Sequence, residues 1–503
     1  MRLVFLNPQG NFDADGSYLS SHPDFGGQLV YVRELALALG ELGHQADIVT
    51  RRIEDPEWPE FATDTDSYPG HENVRILRVP AGPSGFLPKE ELWPHLGEWA
   101  SRIAELYERE GLPDLFTGHY ADGGLCAALL EERTGVPFSF TAHSLGAWKL
   151  DGLLREGECE LDELDERYAF GARLAAERAA ISRAAEIVTS GETERCEQYD
   201  HPAYHDVIDI RDDSRFAVIP PGVNLSVFDR DRPGPREEEV KSEIRTAMER
   251  DISPERRNLP AVIAWSRLDP KKNHLGLVRA FARSPELHRR ANLLIVTRGV
   301  PYPLRNASAA PPAERAVIEE LARGIQDSGL GEAVSAFSLA GQDALAALYR
   351  WGAEGGSVFC LPAGYEPFGL SLVEAMASGL PVVATKNGGP REITAGGEIG
   401  LLADPHDPSD LAARLLDLLA NPGLWREHAE NGCRRAARRY SWQAAAESYA
   451  ELAREASSRG LRTREPLPDF ATGDFNSGDF ASGDFASGQL PRLKSWRPAP
   501  YAP

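Results

Sequence analysis

The chain predicts an α/β protein of two Rossmann-like, doubly wound parallel-sheet domains facing one another across a cleft. Three observations carry that expectation. Short runs rich in Val, Ile, Leu and Phe alternate with stretches of helical periodicity. Several runs are nearly continuously apolar, as parallel strands covered on both faces must be. The runs also fall into two series, separated by a charged, proline-bearing break.

The first series comprises residues 3–6, 47–50, 74–79, 138–141, 187–190 and 216–219. Residues 29–42 place Val32, Leu35, Ala36 and Leu39 on one helical face, so a helix follows the first strand. Pro220-Pro221-Gly222-Val223-Asn224 stops this series, and residues 229–257 form the break. The second series comprises residues 261–264, 293–297, 357–361 and 381–385. With 503 residues, two large domains at 1–225 and 226–440 account for the length. A C-terminal helix at 441–460 is expected to pack back on the first domain. Ligands of such sheets bind beyond the carboxyl ends of the strands, which directs attention to the loops there.

Residues 464–503 differ in kind. Asp469-Phe470-Ala471-Thr472-Gly473 opens a five-residue repeat that runs to Gly488, dominated by Gly, Ser and Asp. Such a composition builds no core, so this tail reads as disordered.

Acidic residues outnumber basic ones by 77 to 54, a net charge of −23. That field gives no general attraction to nucleic acids or anionic membranes, so an anionic ligand must be held by local basic clusters. The five cysteines are odd in number and form no C-x-x-C, which argues against disulfide scaffolds and zinc sites. The N-terminal apolar run ends at Asn7-Pro8, too short for a signal peptide, and no stretch reaches the length of a membrane span. The reading is a cytoplasmic protein.

Three clusters carry chemistry. Gly26-Gly27-Gln28 lies between the first strand and its helix, where free backbone N–H groups attract anions. A bare Gly-Gly is equally a tight turn. Trp265 to Asn273 follows a strand of the second series and places Arg267 and Lys272 five positions apart. That pair suits a diphosphate, with Arg giving forked hydrogen bonds and Lys a point charge. The third and most specific cluster runs from Gly364 to Pro381. In it Glu366 precedes a helix opened by Phe368-Gly369-Leu370, and Glu374 lies within that helix. Ionised carboxylates are acceptor-only groups, suited to sugar and ribose hydroxyls. Lys89, Lys149 and Arg173 stand apart in the first half, and His143 follows the strand at 138–141. Asp13-Ala14-Asp15 and Asp64-Thr65-Asp66 match a metal-holding pair but follow no strand of the second half. No obligatory metal or cofactor is expected, with Mg²⁺ at most stimulatory.

Taken together, these clusters and Ile219-Pro220-Pro221-Gly222-Val223-Asn224 resemble the retaining GT-B glycosyltransferases of family 4. The resemblance covers roughly residues 1–455. It is closer still to bacterial members that make sucrose 6-phosphate, through residues 5–12, 22–31, 86–94, 141–147 and 365–370. It implies retaining transfer of glucose from UDP-glucose to fructose 6-phosphate, with the acceptor on the N-terminal domain and the donor on the C-terminal one. By position, Arg267 and Lys272 would bind the donor diphosphate, Glu374 the ribose and Glu366 the hexose. Gly27 and the Phe368, Gly369 and Leu370 backbone would support the donor. Gly26 and Gln28 would contact fructose, Lys89, Lys149 and Arg173 would hold its phosphate, and His143 would serve the transition state. The resemblance further implies a separate phosphatase acting on the product. Gly171-Ala172-Arg173 is less basic than the pattern, and residues 334–341 depart from that of UDP users. Within the class the alternatives are a GDP-mannose user acting on the same acceptor and an enzyme taking free fructose. Outside it stands a catalytically inactive nucleotide-sugar binder.

Overall fold

A computed structural model describes residues 1–14, 27–157 and 160–458, and near the C-terminus Leu493, Trp496, Pro498 and Ala499. The chain divides into two units, residues 1–220 with 442–503, and residues 221–441.

In the first unit eight strands form one sheet. They are β1 (Arg2–Leu6), β2 (Gln45–Arg51), β3 (Thr65–Tyr68), β4 (His71–Val79), β5 (Leu115–His119), β6 (Phe138–Thr141), β7 (Glu186–Thr189) and β8 (Phe216–Val218). Their order is β3-β4-β2-β1-β5-β6-β7-β8, parallel throughout except for β3. The helices are α1 (Gly27–Glu41), α2 (Leu96–Glu110), α3 (Tyr120–Thr134), α4 (Gly146–Glu156), α5 (Leu161–Tyr168), α6 (Phe170–Arg183) and the single turn α7 (Glu192–Glu194). Alternation along β1 makes the sheet doubly wound. Val4 and Leu6 enter one layer with Trp99, Tyr107 and Phe140, while Leu3 and Phe5 enter the other with Val32 and Leu35. Helix α2 forms because Trp99, Ile103 and Tyr107 recur every fourth residue and bury one stripe.

The second unit carries a six-stranded, wholly parallel sheet of β9 (Ala261–Trp265), β10 (Asn292–Thr297), β11 (Val334–Ser338), β12 (Val358–Leu361), β13 (Val382–Thr385) and β14 (Leu401–Ala403), ordered β11-β10-β9-β12-β13-β14. Its helices are α8 (Glu237–Asp251), α9 (His274–Arg283), α10 (Pro285–Arg290), α11 (Pro312–Asp327), α12 (Gln342–Glu354), α13 (Leu370–Ala377), α14 (Pro390–Ile393), α15 (Pro408–Leu419) and α16 (Pro422–Arg439). Ala261 and Ile263 face one layer, Val262 and Ala264 the other.

The chain then returns to the first unit as α17 (Trp442–Ser458). Its Ala446, Tyr449 and Ala453 pack with α1 residues, and the Tyr449 hydroxyl lies 3.3 Å from that of Tyr31 and 3.0 Å from Thr141 Oγ1. Residues 464–492 of the expected disordered tail lie outside the described residues. The expectation needs correction beyond them. Leu493 is buried in the first unit's core, and Trp496 packs against it, because apolar side chains past the repeat find a surface to cover. No helix among the described residues is long and apolar enough to cross a membrane.

In each sheet the strand order reverses beside the first strand. Strand β1 lies between β2 and β5, and β9 between β10 and β12. Crevices at such switch points lie outside the carboxyl ends of the strands, here after β1, β5, β9 and β12.

Candidate active site

In the first unit, the loops after β1, β5 and β6 meet the N-termini of α3 and α4. Helix α3 approaches the sheet closely because Gly123 and Gly124 face it. A Cβ on Gly123 would come within 2.5 Å of Leu6 O. That packing brings Tyr120 and Asp122 to the crevice. A pocket there is lined by Gln9, Lys89, Tyr120, Asp122, Lys149 and Arg173, among others. The three cations placed far apart in sequence therefore converge. The Lys149 ammonium sits 4.9 Å from the centre of the Tyr168 ring, and burial, reinforced by Arg173 and Lys89, lowers its pKa to about 8. Arg173 is buried. Its Nε donates to Glu177 Oε1 at 2.9 Å, its Nη2 donates to the Ser144 carbonyl, and its guanidinium lies over Tyr120 at 4.6 Å. Burial opposes its charge, but Tyr120 and Glu177 outweigh that and raise its pKa. Glu177 also accepts from the Gly146 N–H at the start of α4 and from the Tyr204 hydroxyl.

Asp122 was not legible as a site residue. Its Oδ1 accepts the Gly123 N–H at 2.8 Å, while its Oδ2 is buried without a partner. Burial pushes its carboxyl up to about 7. A buried, half-satisfied carboxyl on a pocket wall is poised to take a hydrogen bond from a ligand hydroxyl. An acidic residue in the first turn of a helix after a strand was the available signal.

His143 occupies the loop after β6 with φ of 56°, a left-handed conformation costly for a residue with a side chain. Its Nε2 lies 2.9 Å from His119 Nδ1, and His119 Nε2 lies 2.7 Å from Thr117 Oγ1. The Tyr31 ring packs against both imidazoles. Burial lowers both pKa values, that of His143 to about 4 and that of His119 well below its ordinary value. Both are neutral at pH 7, and one N–H is shared between them. An unfolded histidine binds its proton near pH 6.5. The stability these two contribute is therefore complete above that pH and is lost as pH falls towards 4. Asp122 works with the opposite sign, its penalty present above about pH 7 and relieved below it. We expect the His143 imidazole carbon resonances to keep neutral-ring shifts until the pH approaches 4. A titration midpoint near 6.5 in the folded protein would overturn the buried-pair assignment.

Gln28 lies in the first turn of α1 with its Nε2 3.4 Å from Asn7 Oδ1, beside exposed Gly27. Gly26 lies outside the described residues.

In the second unit the loop after β9 carries Arg267 and Lys272. Arg267 is exposed. Lys272 Nζ donates to Glu366 Oε2 at 2.6 Å, so two residues 94 positions apart meet as an ion pair. Asn273 holds the loop in place. Its Oδ1 caps the Gly276 N–H, and its Nδ2 lies 2.9 Å from both the Pro362 and Pro405 carbonyls. Glu366 is backed by the loop after β13, where the Gly389 N–H donates to the Glu366 carbonyl at 2.9 Å and Asn387 Nδ2 to that of Gly364. Gly388 has φ of 87°, and a Cβ there would fall 2.2 Å from the Glu366 carbonyl oxygen, so no side chain fits. Asn387-Gly388-Gly389 after a strand was the overlooked signal. Phe368 is half-buried with its ring 6.0 Å from Tyr440, Gly369 caps α13 in a left-handed conformation, and Leu370 is exposed. Glu374, one turn into α13, keeps an accessible edge. Burial, partly offset by Arg298, pushes its carboxyl up to about 7. The Lys272–Glu366 pair, Glu374 and the N-terminus of α13 together suit a polyhydroxylated anion.

Among the described residues no group of three or more His, Cys, Asp or Glu is arranged to hold a metal ion. Asp64 pairs with Arg52 and Asp66 with Arg78.

Comparisons with known proteins agree with this division. Residues 26–200 match the glycosyl transferase 4-like domain and residues 246–439 the glycosyl transferases group 1. The chain is 41% identical over 453 residues to a "Probable sucrose-phosphate synthase" of Thermosipho melanesiensis, covering 90% of this chain and 96% of that one. It is 33% identical to the sucrose-phosphate synthase of Zea mays over 92% of its own length, but spans only 48% of that protein. The solved sucrose-phosphate synthase of Thermosynechococcus elongatus superposes with a TM-score of 0.63 at 26% identity, covering 92% of this chain and all of that one.

Proposed function

This chain belongs to the sucrose-phosphate synthases, GT-B glycosyltransferases, and on that premise we propose that it moves glucose from UDP-glucose to fructose 6-phosphate with retention, releasing UDP and sucrose 6-phosphate. The convergence of Lys89, Lys149 and Arg173 on one pocket of a protein with net charge −23 carries the reading. Three cations in one crevice suit a dianionic phosphate, and free fructose has no use for them. Asp122 and Gln28 then take fructose hydroxyls.

On the donor side, Lys272 and Arg267 meet the diphosphate, Glu374 the ribose, and Glu366 with the Phe368–Leu370 backbone the hexose. In the proposed step the bond from the glucose anomeric carbon to the diphosphate oxygen breaks as a bond to the fructose 2-oxygen forms on the same face. The departing diphosphate oxygen accepts the acceptor proton. Lys272 stabilises the charge that grows there, which is the largest contribution asked of the site. Neutral His143 donates to or accepts from the transferred hexose without adding charge. No obligatory metal enters this scheme, and Mg²⁺ is at most stimulatory. The product keeps its phosphate ester, so a phosphatase on a separate protein is proposed to consume it. We place the reaction in the cytoplasm.

A donor and acceptor panel tests the proposal. The protein is given fructose 6-phosphate with UDP-glucose, ADP-glucose, GDP-glucose or GDP-mannose, and then free fructose with the best donor. UDP release with sucrose 6-phosphate is the expected result. Turnover with GDP-mannose alone would move the protein to mannosylfructose phosphate, and equal use of free fructose would remove the role of the three cations. No turnover with any pair would leave a nucleotide-sugar binder.

A further inference from the structure

Residues near the C-terminus are tied to α4 and α5, two of the helices that line the proposed acceptor-phosphate pocket. Leu493 is buried in the first unit's core, and its N–H donates to Asp165 Oδ2 at 2.9 Å. The Trp496 ring stacks on His201, with centroids 5.5 Å apart and planes 12° from parallel. Its Nε1 donates to Asp151 Oδ1 at 2.6 Å, and the Ala499 N–H donates to Asp151 Oδ2 at 2.8 Å. Arg155 closes the contact by donating to the Ala499 carbonyl at 3.1 Å.

Asp151 is fully buried on α4, two residues beyond Lys149. Asp165 is buried on α5, three residues before Tyr168, the ring under the Lys149 ammonium. The C-terminal residues thus supply two of the donors to one buried carboxylate and one to the other. Each carboxylate shares a helix with a member of the Lys149–Tyr168 pair, two or three residues along it. A buried carboxylate that loses donors must find others or draw in water, and either response moves its helix. Displacements near 1 Å at a positioning group are enough to weaken binding severely.

We propose that Trp496 and Leu493 are positioning residues of the acceptor-phosphate site, acting through α4 and α5 on Lys149. This rests on the acceptor assignment made above. It gives the chain beyond the repeat a role in the reaction, although it touches no reacting atom.

Two full-length variants test it, Trp496→Ala and Trp496→Phe, the second keeping a ring to stack on His201 while losing the N–H. Trp496→Ala should raise the KM for fructose 6-phosphate about tenfold, with kcat and the KM for UDP-glucose within about twofold of the parent. Trp496→Phe should fall between the two. An unchanged acceptor KM in both variants would overturn the proposal. So would a loss confined to kcat that tracks the folded fraction, the mark of a purely structural anchor. Amide exchange across residues 146–156 reads the coupling without turnover. It should accelerate in Trp496→Ala, and unaltered exchange would overturn the proposal even for a protein that failed the substrate panel.

Discussion

Lys272→Ala is expected to lower kcat about a thousandfold while leaving the protein folded. Lys272 is the cation that the loop after β9 presents beside Glu366, 2.6 Å from its carboxylate. Its pairing does not spend it, because an ammonium has three donors and one is directed at Glu366. Removing a preorganised charge that meets the developing leaving-group charge costs about 10²–10³ in rate. The stability cost is small by comparison. The Lys272 side chain retains 22% of its exposure and that of Glu366 12%, so water can reach the carboxylate left behind. Single-turnover rates at saturating UDP-glucose, with thermal unfolding as the control for folding, check both halves. A kcat within tenfold of the parent would remove Lys272 from the proposed step.

Arg173→Met should strike the first unit twice. The guanidinium is buried against Glu177, whose side chain is 1% exposed, and against the Ser144 carbonyl. Breaking a buried pair by deleting one partner leaves an uncompensated charge and costs about 3 kcal/mol. Glu177 keeps the Gly146 N–H and the Tyr204 hydroxyl as donors, which holds the loss near that value rather than above it. For a unit of this size the thermal midpoint should fall by roughly 5–10 °C. The acceptor loses its one guanidinium, and the KM for fructose 6-phosphate should rise about a hundredfold, the KM for UDP-glucose staying near the parent value. Adding Glu177→Gln removes the orphaned charge. It should recover part of the midpoint without recovering the acceptor KM. Recovery of both would mean that Arg173 acts only through stability.

Much of this architecture could be read along the chain because the strands are buried on both faces. Among the described residues, ten of the fourteen strands were anticipated near their observed bounds, residues 138–141 without adjustment. β5 escaped notice, although it is central in its sheet. Its Thr117, Gly118 and His119 are polar or small, and their burial comes from α3 and the second histidine rather than from any apolar pattern. β3 escaped because it is a short edge strand running against its neighbour, and β11 and β14, the two edge strands of the second sheet, escaped as well. Of the site, the charged residues were legible by type and position after strands. The supporting ones, Asp122, His119, Asn273 and Asn387, were not, since each matters through a partner distant in the sequence.

The sequence by itself determined the fold class, the two-domain division and the family, because hydrophobic period and short motifs are local properties. It also named the cations to which the proposed reaction assigns roles. Only the tertiary structure decided that Lys89, Lys149 and Arg173 share a pocket, that Lys272 answers Glu366, and that Trp496 reaches Asp151 across 345 residues. The reason is physical. Charge pairing and carboxylate desolvation depend on separation in space and on burial, and neither is written in the spacing of residues along a chain.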